Sequence, residues 1–268
     1  MAADPEFVAA NQRAAVVVSP SAGSVSVFAL PSLSPLRVLH GFGSPHIAAI
    51  APGGRYAYVT DDARGQLAVI RLSDGGLVTK VAVGALAHHI SFRPDGREAW
   101  IGLGESGRAI VIVDTSDLTR PRVVGQFDPG FAAHDLRFAP DGRRVWVTSA
   151  SGPDVGVFDA RSHRLLSRVP GGAPPQHVAF GDGQSNRAYV TSGYGSQIEI
   201  VNRDTGRVLK TADAPYGSFD LDVAPGRVAT SSLLRGTLAV YDSQLHLLRV
   251  VQIAPAARDV ALSEIKRP

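Results

Sequence analysis

The chain has 268 residues, 44% of them apolar and 19% charged, with a formal net charge of +3; this balance supplies a substantial core and excludes a disordered chain. It has no cysteine, and its single methionine is Met1, so disulfides, thiolate catalysis and thiolate metal sites are excluded while histidine-and-oxygen chemistry stays open. No apolar run is long enough for a membrane span, and arginines such as Arg55, Arg97, Arg143, Arg207 and Arg227 are scattered at turns and strand ends, so neither membrane insertion nor nucleic-acid binding is expected.

Residues 1–12 read as an expression scar or N-terminal tail, standing where a signal peptide has been removed, and a periplasmic or secreted location follows from that reading. Three alternating runs come next: 15–18, 25–28 and 36–39. His46–Thr60 then reads H-I-A-A-I-A-P-G-G-R-Y-A-Y-V-T and is followed by runs at 67–70 and 77–81. His88–Gly102 repeats the pattern, followed by 109–113 and 122–124. The clearest copy is His134–Thr148, H-D-L-R-F-A-P-D-G-R-R-V-W-V-T. An alternating run, an Asp-Gly turn and a second alternating run spell a β-hairpin. Runs at 155–159 and 164–169 follow it. Gln176–Thr191 is the same unit with two extra residues after the turn, followed by 198–201 and 208–210. A degenerate copy spans Phe219–Thr230, with 238–241 and 247–250 after it, and a half-copy at 258–262 ends the series.

The copies start at 46, 88, 134, 176, 219 and 258, spaced by 42, 46, 42, 43 and 39 residues. A period of this length with four strands per repeat predicts an all-β, six-bladed propeller over residues 13–265, leaving 266–268 as a tail. The last blade is expected to close across the termini, three strands coming from the N-terminal runs and the inner strand from Asp259–Leu262.

Tyr58-Val59-Thr60, Trp146-Val147-Thr148 and Tyr189-Val190-Thr191, each shortly after a Pro-Asp-Gly-like turn, resemble the YVTN family of bacterial β-propellers. The turn at Asn202–Val208 is similar to the one joining that family's third and fourth strands. The resemblance implies a propeller fold; for activity it spans binding proteins, haem-d1-type propellers and enzymes.

The first residues of the six inner strands read His46, His88, His134, Gln176, Phe219 and Arg258, and the second residues read Ile47, His89, Asp135, His177, Asp220 and Asp259. Five of the eight histidines fall in these twelve positions. Histidines at equivalent places on consecutive blades can converge, and neutral imidazole suits zinc, copper, iron or nickel. His46, His88 and His134 are therefore the expected metal ligands, with His89 or His177 as general base and Asp135 beside them. Gln176, Phe219, Asp220, Arg258 and Asp259 would line the rest of the site, offering an amide, an aromatic wall and a cation to an anionic small molecule. Loops between second and third strands add Asp61, Asp62, Glu105 and Tyr194; each is first a solvent-exposed turn residue by type, Asp61 and Glu105 being the candidates for extra oxygen ligands or acid/base groups, and Tyr194 either stacks on a ligand or covers its loop. A histidine at this point of the repeat equally serves to cap its strand or bond a neighbouring backbone. The expected function is a metal-dependent hydrolase, lactonase or lyase acting as a monomer on a small molecule. The alternatives are a non-catalytic propeller binding a ligand, metal or protein partner, and a tetrapyrrole-binding one.

Overall fold

All but the last of the alternating runs of the sequence fall in strands, because apolar residues two apart share one face of a pleated chain. A computed structural model describes residues 4–104, 107–181 and 185–263. Their contacts divide the chain into two compact units, the first running to Ala133 and including Ser263, the second spanning His134–Leu262.

The first unit holds three sheets: β1 (Phe7–Ala10), β2 (Ala14–Ser19), β3 (Ser24–Ala29) and β4 (Ser34–His40); β5 (Pro45–Ile50), β6 (Tyr56–Asp61), β7 (Gln66–Arg71) and β8 (Gly76–Ala82); β9 (Ile90–Phe92), β10 (Glu98–Gly102), β11 (Ile110–Asp114) and β12 (Arg122–Phe127). The second unit holds three more: β13 (Ala133–Phe138), β14 (Arg144–Ser149), β15 (Asp154–Asp159) and β16 (Leu165–Pro170); β17 (Val178–Phe180), β18 (Arg187–Thr191), β19 (Gln197–Asn202) and β20 (Val208–Asp213); β21 (Ser218–Ala224), β22 (Arg227–Ser232), β23 (Thr237–Tyr241) and β24 (Leu247–Gln252). In every sheet the strands neighbour one another in chain order. The chain is thus an all-β, six-bladed propeller with four antiparallel strands per blade, and no helix occurs among the described residues.

The middle strands of each blade are buried and the fourth strands are largely exposed. All six pairings of third with fourth strand carry a register shift at the same point. Such bulges twist an exposed edge away from further pairing.

The N-terminal blade departs from expectation. Phe7–Ala10, read from sequence as part of a tail, pairs with β2 from Phe7↔Val18 to Ala10↔Ala15 and completes the blade from contiguous chain. Asn11 makes the tight connection possible, its Oδ1 accepting hydrogen bonds from the amides of Arg13 at 2.8 Å and Ala14 at 3.0 Å. Phe7 is buried in an apolar cluster with Val16, Val18 and Val25. The segment expected in that place, Asp259–Leu262, is in no strand. Two charges in Arg258–Asp259 make it a poor rival for an apolar inner position. It lies instead within the second unit, with the Arg258 guanidinium 5.3 Å over the Phe219 ring and the Leu262 amide donating to Asp222 at 2.7 Å.

Candidate metal centre

A bulge shapes the starts of β5 and β21, and a threonine ties the starts of several inner strands. On β5, Pro45 pairs with Asp61 but Ala48 pairs with Val59, so one extra residue is accommodated at His46–Ile47. A bulge of this kind re-aims side chains and removes backbone groups from the ladder. Thr60 replaces the missing ladder partner: its Oγ1 accepts from the Ile47 amide at 3.0 Å and donates to the His88 carbonyl, one blade on, at 2.6 Å. The His88 amide donates to Gly102 O, and the Gly102 amide donates to His89 O, both at 2.9 Å. Thr191 repeats the arrangement in the second unit, accepting from His177 N at 3.1 Å and donating to Phe219 O at 3.0 Å. The threonine of the Tyr-Val-Thr motif is therefore the tie that fixes the residues at the inner-strand start.

In the first unit this brings three imidazoles together. His46, His88 and His89 each offer one nitrogen, all within 4.8 Å of one another. The His46 and His88 rings stack at 3.6 Å and 19°, while His89 stands across both, 5.6 Å from His46 and 5.1 Å from His88. Phe7 closes one side, its ring 4.6 Å from His46. His88 Nδ1 lies 3.1 Å from Asp62 Oδ2. An ionised carboxylate only accepts, so this contact puts the hydrogen on Nδ1 and makes Nε2 the nitrogen that could ligate. Bonds of about 2.1 Å from an ion to each nitrogen keep any two ligand atoms within about 4.2 Å. The group's 4.8 Å span exceeds that limit, and the stacked His46 and His88 rings would have to turn for both lone pairs to meet one ion; the donor set suits zinc, copper, iron or nickel.

The loop carboxylates have different tasks from those expected. Asp61 is 1% exposed, and its oxygens accept from Gly43 N at 2.9 Å and Ser44 N at 2.9 Å. It holds the chain leading into β5 and has no reach to spare for a metal. Its neighbour Asp62 is the carboxylate that meets an imidazole. Glu105 lies outside the described residues. His89, expected as a base, is also one of the three nitrogens of the cluster.

The second unit gathers the other expected residues. Phe219 is the hub: its ring centre is 5.9 Å from His134, 4.9 Å from His177 and 6.1 Å from the exposed Tyr194. Gln176, expected to face an anion, is fully buried, and its Nε2 donates to Gly152 O at 3.1 Å and Gly172 O at 2.9 Å. Gln176 therefore braces two loops. Burial lowers the His177 pKa to about 4, against the pull of Asp135.

Sequence reading also missed a charge cluster around Arg137. Burial opposes the Arg137 charge, but the carboxylates of Asp135, Asp220, Asp222 and Asp259 outweigh it and raise its pKa. Burial likewise raises Asp220, to about 6, with repulsion from Asp135 adding to it, while Arg137 and a hydrogen bond with the Asp259 side chain pull it down. Arg137 and Asp222 stand fourth in their inner strands, where other copies have Ala49, Ser91, Ala179 and Ala261. Residues two apart share a face, so charges at both second and fourth positions were the available signal.

No family model matches the sequence, and no curated protein matches it. Solved structures do match. A functionally unknown protein from Desulfotomaculum acetoxidans DSM 771 aligns with TM-score 0.83 and 15% identity, over 99% of this chain and 91% of that one. A chain of the Mitotic Checkpoint Complex aligns at 0.80 and 18%, over 96% and 83%. Hydrazine synthase of Kuenenia stuttgartiensis aligns at 0.76 and 14%, over 96% and 89%. Likeness at these identities is a likeness of fold.

Proposed function

We propose that this propeller binds a divalent transition metal ion through His46, His88 and His89 and acts on a small molecule by hydrolysis or elimination. The observation that carries the reading is the convergence of three imidazole nitrogens, one of them oriented by Asp62. Three neutral nitrogens leave the ion's charge uncompensated and at least one coordination position open, and an ion held so supplies Lewis-acid polarisation or an activated water. The chain's own residues do the rest: Asp62 fixes the His88 ring, Thr60 fixes its backbone, and Phe7 shields His46. The Tyr-Val-Thr motifs support grouping the chain with YVTN-type propellers, and a periplasmic or secreted monomer belongs to the same reading.

One observation favours a second reading, a propeller that binds metal or ligand without turnover. His46 is 6% and His89 2% exposed, which leaves a substrate little imidazole-lined surface to meet. Assay of zinc-loaded protein against lactones and activated esters separates the two. Turnover lost in His89→Ala supports the enzyme; metal uptake without turnover supports the binding module. A visible absorption band on the purified protein would point to a tetrapyrrole or copper instead.

A further inference from the structure

Away from the histidines, the face between the fourth and fifth blades encloses a cavity of about 220 Å³ within the second unit. Its walls are Trp146, Val157 and Leu166 on the fourth blade and Arg203 and Asp204 from the turn joining β19 to β20. That turn is rigidly built: Asn202 Oδ1 accepts from Asp204 N at 3.0 Å and Thr205 N at 2.9 Å, and the Gly206 amide returns to Asn202 O at 2.8 Å.

The polar groups lining the cavity are out of balance. Asp204 is already engaged, by Arg144 Nη1 at 3.2 Å and by Asn186 Nδ2 at 2.6 Å. Arg203 Nε and Nη1 and Trp146 Nε1 are buried and have no acceptor among the described residues. These atoms are donors only, and buried donors are normally satisfied. Trp146 and Arg203 both line the cavity, so a ligand with acceptors seated there would have these donors as its neighbours.

Equivalent places elsewhere in the chain explain how the cavity arises. Where a tyrosine stands at this point of the repeat, its hydroxyl crosses to the next blade's turn: Tyr58 donates to Leu118 O and Tyr189 to Ser243 O, both at 2.9 Å. Trp146 has no hydroxyl for that bond, and the turn facing it presents a guanidinium.

We propose that this cavity binds a small organic carboxylate, its oxygens accepting from Arg203 and Trp146 and its apolar part lying against Val157 and Leu166. The charge count selects the class: with Arg144 paired to Asp204, a single cation remains, which matches a carboxylate monoanion better than a phosphate dianion. The inference does not depend on the metal.

Titration calorimetry with butyrate, benzoate, butyramide and inorganic phosphate tests it. Saturable millimolar or tighter binding of the carboxylates is expected, with butyramide and phosphate silent. Arg203→Gln should weaken carboxylate binding at least tenfold. Trp146→Tyr, which installs the residue found at the equivalent Tyr58 and Tyr189, should fold normally and lose binding too. Absence of carboxylate binding, equal binding of phosphate or butyramide, or binding indifferent to both substitutions would overturn the proposal. Zinc uptake, read in parallel, should be unchanged in both variants.

Discussion

Thr60→Val is the sharpest probe of how the fold builds the histidine site. The substitution preserves volume and β-branching but removes a fully buried hydroxyl that serves two backbone groups, the Ile47 amide at 3.0 Å and the His88 carbonyl at 2.6 Å. Each buried backbone group that loses its partner costs about 1–3 kcal/mol, so the pair predicts a loss of about 2–6 kcal/mol. For a chain of this size that is a fall in Tm of roughly 4–24 °C. Guanidinium unfolding followed by tryptophan fluorescence measures it, with Thr60→Ser as the control that keeps the hydroxyl. Thr191→Val removes the matching bonds to His177 and Phe219 and should cost a similar amount. Of the two, Thr60→Val alone should also weaken zinc binding, because Thr60 and not Thr191 bonds the backbone of His88. A Thr60→Val protein within about 0.5 kcal/mol of the parent, the range of an ordinary surface change, would refute the reasoning. So would an equal effect of Thr191→Val on zinc affinity.

Phe7→Ala should destabilise the protein by about 3–5 kcal/mol in the same assay, since Phe7 is a core side chain; a neutral result would return residues 7–10 to the status of a tail. Asp62→Asn should leave stability nearly unchanged and weaken zinc affinity roughly 10–100-fold, as loss of an orienting carboxylate does; unchanged affinity would detach Asp62 from the site. Burial raises Asp220 to about 6, so the folded state favours its protonated form. The stability this confers is complete below the ordinary carboxylate pKa, near pH 4, and is lost as pH rises through about 6. Asp220→Asn stays neutral, so its stability relative to the parent should climb between pH 4 and 7. Parallel stability–pH curves for the two proteins would contradict that assignment.

The blades were legible because a two-residue alternation punctuated by Asp-Gly turns leaves little freedom in how strands pair. The inner-strand starts of Pro45 and Ser218 were legible to within a residue or two for the same reason. What misled was the N-terminus: Phe-Val-Ala-Ala is too short to show alternation, and its role depends on Phe7 finding the hydrophobic cluster of β2 and β3, a contact made in three dimensions. Phe7 precedes His46 by 39 residues, the same spacing as Phe219 to Arg258, and that regularity was the overlooked clue. The clustering of histidines at inner-strand starts was visible in sequence. Which of them meet was not, because the bulge at His46–Ile47 decides where a side chain points, and residue order does not announce a bulge. The division of labour between Asp61 and Asp62 was hidden likewise, since adjacent residues of a strand end face opposite ways. Trp146 was legible as core aromatic; the missing hydroxyl mattered only once Tyr58 and Tyr189 were seen reaching the next turn.

The central claim is that His46, His88 and His89 hold a metal ion together, and calorimetric titration of zinc into tag-free, metal-stripped protein tests it most directly. About one equivalent should bind, with protons released if any imidazole is charged beforehand, and His46→Ala and His89→Ala should each abolish tight uptake while preserving the fold by circular dichroism. Uptake below about a tenth of an equivalent, or uptake undiminished in both variants, would contradict the account.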